Sequence, residues 1–226
     1  MKKYTTVAKI NFRYTTWIAY LVAGICAAAM IVDTIIDKSM GMTGDNAISY
    51  YSMLYLICIM APIFIASINY SRHINIGVKK KAYFYGCAIN YVVFAAIISL
   101  CGVIETFLID PYLTSDGYQI YGLVKVFGWD SNVFTAFFSQ FAFLLLVESV
   151  LHTFTFIQDK WYGWLADVIV VVIISVFTPI PALRQVETAF FNLIIFSAPV
   201  AQIFTCLLLA AAVYSTNLVY LKNKIS

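Results

Sequence analysis

Two long apolar runs separated by a short basic insert limit the fold of this chain more than any other feature. The runs cover residues 48–69 and 82–109, and each is long enough to cross a bilayer core of ~30 Å as a helix of ~20 residues. The insert at residues 70–81, YSRHINIGVKKK, carries Arg72 and the lysine triplet 79–81. Because Lys and Arg in short loops resist translocation, this pattern predicts a tight loop on the cytoplasmic face of a membrane.

Composition places the whole chain in the same class. Of its 226 residues, 62% are hydrophobic and only 11% are charged, with a mean hydropathy of +0.88. These values are typical of an integral membrane protein and leave no room for a separate soluble domain of ordinary size. We therefore expect a single domain over 1–226. The net charge of +3 indicates membrane topology and does not indicate nucleic-acid binding.

Apolar length predicts an all-α, polytopic fold with six transmembrane helices between residues 15 and 220. The predicted spans are 15–36, 48–69, 82–109, 132–157, 164–180, and a last one from near Pro199 to near Tyr220. Eleven of the fourteen Lys and Arg residues fall on one side of this arrangement. That side is predicted to be cytoplasmic, so both termini are expected in the cytoplasm and the chain in the plasma membrane.

The segment 1–14 precedes the first span and has two different faces. Val7, Ile10 and Tyr14 recur at helical spacing, whereas Lys9 and Arg13 lie on another face. This pattern predicts an amphipathic helix at the cytoplasmic membrane surface. An ordinary basic flank that anchors the first span remains the alternative.

Prolines interrupt the chain before the last span. Pro179 and Pro181 end the fifth predicted helix, and Pro199 breaks or begins the next one. We expect residues 182–198 to form a short re-entrant hairpin at the outer face. Irregular backbone at membrane depth is tolerated only where protein or a water-filled cavity satisfies its polar groups.

Acidic residues within apolar runs are the candidates for intramembrane function. Asp33 and Glu105 lie at the outer ends of predicted spans, where an interfacial role is expected. Glu148, His152 and Asp167 lie deeper and are predicted to form a polar cluster between spans four and five. We favour a hydrogen-bonded structural cluster, and a functional site is the alternative.

Motifs of intramembrane enzymes are not found in the sequence. It contains no Gly-x-Ser-x-Gly turn, no His-Glu-x-x-His ligand set and no Gly-rich phosphate loop. Its two histidines and five cysteines show no spacing typical of a metal site or a disulfide framework. We therefore expect no enzyme activity, no metal and no cofactor bound by this chain.

The order of these features resembles one transporter family. The segment Ile76–Phe84, IGVKKKAYF, is similar to the Gly-Val-Ser-Arg-Lys-x-x-Phe segment that opens the third span in permease subunits of ATP-binding-cassette type-2 exporters, particularly the small stand-alone permeases of Gram-positive bacteria. This chain has Lys79 where that family often has Ser. The amphipathic start, the six spans and the hairpin before the last span extend the resemblance over the whole chain.

The resemblance implies that a separate cytoplasmic ATPase supplies the energy and holds the ATP and Mg²⁺. It implies that the loop 70–81 is the coupling helix, and that a second permease copy or a paralogue completes the transport path. An amphipathic peptide, such as an antimicrobial peptide, or a hydrophobic compound is the expected substrate. The residues assigned to ATPase coupling are Arg72, His73, Ile74, Asn75, Ile76, Gly77, Val78, Lys79 and Lys80.

Two other functions remain open at this point. Ala19, Ala23 and Ala27 give the first span a small-residue face, which also suits a substrate-binding membrane subunit of an energy-coupling-factor vitamin importer. A membrane immunity protein that sequesters a peptide is the other alternative. Binding of an ATPase distinguishes the exporter hypothesis from the immunity-protein hypothesis.

Overall fold

The computed structural model describes residues 2–40, 46–48, 53–111, 119–177 and 179–223, and these residues form a helical bundle. Its helices are α1 (Lys2–Met40), α2 (Tyr55–Asn75), α3 (Lys80–Ile109), α4 (Leu123–Val126), α5 (Val133–Ile157), α6 (Trp161–Phe177), α7 (Pro181–Phe196) and α8 (Pro199–Asn223). Single π-helical segments occur within α2, α3 and α7, at Ile65–Asn69, Glu105–Ile109 and Asn192–Phe196.

Four of the described helices, α2, α3, α5 and α8, are long and apolar enough to cross a membrane. The pair α6 and α7, which is bent by 117°, would add a fifth span if it crosses as one broken helix. Six spans and a re-entrant hairpin therefore go beyond what the described helices establish. Residues 15–36, the first predicted span, are helical throughout within α1 but are not among these four.

Helix α1 is continuous for 39 residues. Residues 2–14, expected as a separate surface helix, are the first turns of this same helix. No Gly or Pro occurs before Gly24, so nothing in the sequence interrupts the backbone hydrogen bonds. Val7 and Asn11 are buried, and a Cβ atom placed on Gly86 of α3 would lie only 2.5 Å from the Val7 Cγ1 atom. The start of α1 is thus packed closely against α3.

Helix α2 extends six residues beyond the end predicted for the second span, through Tyr70–Asn75. The predicted loop 70–81 is reduced to the residues between Asn75 and Lys80. Gly77 has a φ of +79°, a conformation that Gly adopts at little cost, and its N–H donates to the Ile74 carbonyl oxygen at 2.9 Å. The helix therefore ends at the first residue that allows the chain to reverse direction.

Helix α5 is the centre of the bundle and packs against α2, α3 and α8. The largest fully buried side chains include Tyr83 and Tyr91 of α3 and Phe156 of α5. Helix α6, in contrast, leaves most of its apolar surface uncovered, for example at Trp164 and Val171. An uncovered apolar helix is compatible with lipid as its surroundings.

Two short strands lie at the end of the bundle opposite to the α2–α3 connection. One belongs to the α1–α2 connection and the other to the α3–α5 connection, and they pair with each other. Strand β1 (Asn46–Ile48) pairs in parallel with β2 (Gln119–Tyr121), with Asn46 opposite Gln119. The intervening residues 41–45, 49–52 and 112–118 lie outside the described part of the chain.

Candidate functional site

The connection between α2 and α3 presents one apolar side chain to solvent. Ile76 is 62% exposed and directly precedes the turn at Gly77. Lys79 has extended backbone, with φ −64° and ψ 136°, and precedes the first turn of α3. An exposed isoleucine at such a tip would gain free energy if a partner covered it, because its apolar surface would then leave water.

Arg72 and His73, neighbours near the end of α2, have different surroundings. The Arg72 guanidinium lies 5.0 Å from the centre of the Tyr14 ring of α1, a cation–π geometry. His73, which the sequence placed among the coupling residues, is instead fully buried. The helix continues past residue 69, and its rotation directs the imidazole into the bundle.

A chain of polar contacts joins α1, α2 and α3 at this end. The His73 Nε2 atom lies 2.7 Å from Asn11 Oδ1, and Asn11 Nδ2 donates to Asn90 Oδ1 at 3.3 Å. Asn90 Nδ2 in turn donates to the Ala8 carbonyl oxygen at 3.0 Å. Because the Asn11 amide nitrogen donates to Asn90, its oxygen is the acceptor for a proton on His73 Nε2. These hydrogen bonds therefore link the end of α2, next to the connection, to α1 and α3 in the interior of the bundle.

Most of the nine predicted coupling residues do lie at the surface of this connection. Arg72, Asn75, Ile76, Gly77 and Lys79 are exposed. Three others, Ile74, Val78 and Lys80, are half-buried, and His73 alone of the nine is buried.

A groove of about 280 Å³ separates this connection from the start of α1. Its lining is mostly apolar and comes from Thr6, Val7, Ile10, Gly77, Val78, Lys79 and Ala82. The groove lies beside the exposed Ile76 and the lysine triplet. A partner that contacts the connection would therefore also meet the first turns of α1.

Among the described contacts, none joins the three predicted cluster residues Glu148, His152 and Asp167. His152 is buried among aromatic rings, and its Nδ1 atom lies 2.5 Å from the hydroxyl of Tyr91 on α3. Asp167 on α6 is half-buried and accepts a hydrogen bond from Gln158 Nε2 at 2.7 Å. The three side chains have different partners because α6 packs only lightly on α5.

Glu148 has the most unusual surroundings of the three. It is fully buried in α5, and the Cys58 thiol of α2 lies beside its carboxyl group. Neither carboxyl oxygen forms a hydrogen bond of ordinary geometry with any described residue. The Cys58 thiol, a weak donor, is thus the nearest hydrogen-bonding group to this carboxyl group, and the structural role that the sequence favoured stays a prediction.

At the opposite end, the structure describes only one of the two predicted outer carboxylates. Glu105 is half-buried at the start of the π-helical segment of α3, whereas the side chain of Asp33 lies outside the described part of the chain. Sequence reasoning missed Asp110, which is buried and forms an ion pair of 2.6 Å with Lys125. Its only sequence signal was an acidic residue at the end of an apolar run.

The buried amides were also missed. Gln202 Nε2 of α8 donates to the Ile194 carbonyl oxygen at 3.2 Å, and Asn217 Nδ2 donates to Thr153 Oγ1 at 2.9 Å. Single Asn or Gln residues inside apolar runs could have predicted these contacts, because a side-chain amide without a hydrogen bond is costly away from water. Among the described residues, no group of three or more His, Cys, Asp or Glu is arranged to hold a metal ion.

Comparisons of this chain with protein-family models, with curated proteins and with solved structures found no match. The geometry above is therefore the basis for assigning a function.

Proposed function

We propose that this chain is the permease subunit of an ATP-binding-cassette exporter, driven by ATP and Mg²⁺ in a separate cytoplasmic ATPase. The observation that carries the proposal is the α2–α3 connection, where the exposed Ile76 lies beside Lys79 and close to two further lysines. An apolar tip with a basic rim suits insertion into an apolar groove with an acidic edge on a partner protein.

The contacts behind the tip support a role in transmitting movement. Force on Ile76 reaches α2 directly, because the turn follows Asn75 without a flexible linker. It reaches α1 and α3 through the bonds from His73 to Asn11 and from Asn11 to Asn90. Displacement of the connection would therefore move three helices together, which is the kind of rigid-body change that alternating access requires.

The proposal includes a membrane arrangement. The α2–α3 connection and both termini face the cytoplasm, six spans cross the plasma membrane, and α7 re-enters from the outer face. A second permease copy or a paralogue completes the transport path. The substrate is an amphipathic peptide or a hydrophobic compound, in keeping with the apolar, aromatic interior of the bundle.

A substitution at the tip tests the proposal. Ile76→Asp places an uncompensated charge where an apolar contact is expected, and the ATPase that co-purifies with the wild-type chain from native membranes should be lost. Val126→Asp is the matched control, because Val126 is an exposed apolar residue in a connection at the other end. Export should fall with Ile76→Asp and persist with Val126→Asp.

Two outcomes would contradict this function. Retention of the ATPase and of export by a folded Ile76→Asp chain would remove the coupling role assigned to the α2–α3 connection. Labelling of Lys80→Cys from outside intact cells, in a chain that lacks the native cysteines, would reverse the orientation.

A further inference from the structure

Glu148 differs from His152 and Gln140, two other large buried polar side chains of α5. His152 is close to the Tyr91 hydroxyl, and Gln140 donates to the Tyr55 hydroxyl. Glu148 is equally buried, and neither of its oxygens forms a hydrogen bond of ordinary geometry among the described residues, although the Cys58 thiol lies beside the carboxyl group. A carboxylate ion in such a position would lose its hydration without compensation.

No Lys or Arg side chain in α2, α3, α5 or α8 is available within the membrane-spanning part to balance a charge there. The groups that face Glu148 from neighbouring helices are the Cys58 thiol of α2 and the Tyr91 hydroxyl of α3, and His152 lies one turn along α5. The sequence has no Lys or Arg within 55–71, 82–109, 133–157 or 199–221. The neutral carboxylic acid is therefore the form of Glu148 that this packing accepts.

We propose that Glu148 is a proton-binding site inside the bundle. It holds one proton as a carboxylic acid while α2 and α5 are packed together, and it releases that proton to water when the two helices separate. The ligand is the proton alone, and the step is a simple dissociation of the O–H bond. A carboxyl group whose nearest donor is a weak thiol adds little to helix packing, so binding a proton accounts for it better than a structural role does.

Helix α2 has the features needed for such a separation. Pro62 lies one turn beyond Cys58 and removes a backbone donor, and the π-helical segment Ile65–Asn69 follows at once. Both are places at which helices bend. The same helix ends at the α2–α3 connection, so movement of the connection would open the Glu148 site. This link to the connection rests on the proposed function, whereas the proton site itself does not.

Infrared spectroscopy of the full-length chain in lipid nanodiscs tests the site. At pH 7 the wild-type chain should show the carbonyl stretch of a protonated carboxyl group, and Glu148→Gln should lose this band. Asp130→Asn is the control, since Asp130 is exposed and its replacement should leave the band in place. A band unchanged by Glu148→Gln, or no such band in the wild type, would overturn the proposal.

Thermal unfolding against pH gives an independent readout. The unfolded chain releases the Glu148 proton at ~pH 4.3, where an exposed glutamic acid ionises, but the folded bundle retains it. The folded state then binds more protons, so the Tm of the wild type should fall as the pH rises above that value. Glu148→Gln should lose this part of the pH dependence.

Failure of Glu148→Gln to fold would also overturn the proposal, because glutamine has the shape and the neutral charge of the protonated carboxyl group that the proposal assigns to this position. If the proton site is present but Ile76→Asp still exports, only the function assigned to the connection fails. If Ile76→Asp abolishes ATPase binding while the carboxyl band does not depend on Glu148, only the proton site fails.

Discussion

His73 and Asn11, which are 62 positions apart in the chain, share a hydrogen bond of 2.7 Å in the interior of the bundle. This bond joins the last turn of α2 to the third turn of α1. It explains why a segment with the composition of a surface loop continues as a helix with one buried side.

Replacement of Asn11 by Leu should lower the thermal stability of the protein. The change leaves the buried groups of His73 and Asn90 without partners, at a cost of about 1–3 kcal/mol. Asn75→Leu is the control, since Asn75 is exposed and should tolerate the change. Unfolding in nanodiscs measures the difference, and equal stabilities of the two variants would contradict the importance of this network.

Gly86→Ala should separate α1 from α3. The added methyl group would lie 2.5 Å from Val7 Cγ1, and such overpacking costs about 1–3 kcal/mol. Gly24→Ala should be neutral or stabilising by up to about 1 kcal/mol, because nothing lies within 4 Å of its added Cβ atom. A Gly86→Ala chain as stable as Gly24→Ala would show that the two helices are not closely packed.

Tyr91→Phe should destabilise the centre of the bundle. It removes the hydroxyl that lies 2.5 Å from His152 Nδ1 and leaves a buried ring nitrogen without this partner, at a cost of about 1–3 kcal/mol. Tyr85→Phe, at a side chain that is 47% exposed, should have almost no effect. Comparison of the two unfolding midpoints tests this, and similar losses would contradict it.

Asp110 and Lys125 should show coupled energetics. Lys125→Met leaves the buried Asp110 carboxylate without its 2.6 Å partner and should cost at least about 1 kcal/mol. The double variant with Asp110→Asn should cost less than the two single changes added together. A double-mutant cycle measures this coupling, and simple additivity would show that the ion pair contributes nothing.

Apolar length was enough to predict the helices that do not depend on distant contacts. The predicted spans 82–109 and 132–157 correspond closely to α3 and α5, and the break before Pro199 corresponds to the start of α8. In these segments the signals are local, namely the number of apolar residues and the position of a proline.

The polar contacts could not be predicted in the same way. Whether His73 lies in a loop or in the core depends on Asn11, and which side chain lies beside Glu148 depends on the rotation of α2. A sequence read segment by segment does not give the angles between helices. For this reason the grouping of Glu148 with Asp167 stays a prediction, and the hydrogen bond of Asp167 to Gln158 could not be foreseen.

The π-helical segment Ile65–Asn69 determines the direction of every side chain that follows it in α2. A π-helical turn accommodates one more residue than an α-helical turn, and one residue corresponds to about 100° of rotation around a helix axis. Deletion of the exposed Ser67 would therefore turn Tyr70 and His73 away from the bundle and bring other residues inward. The extra residue therefore sets the angle, around the axis of α2, between the side chains of its apolar half and those that lead into the connection to α3.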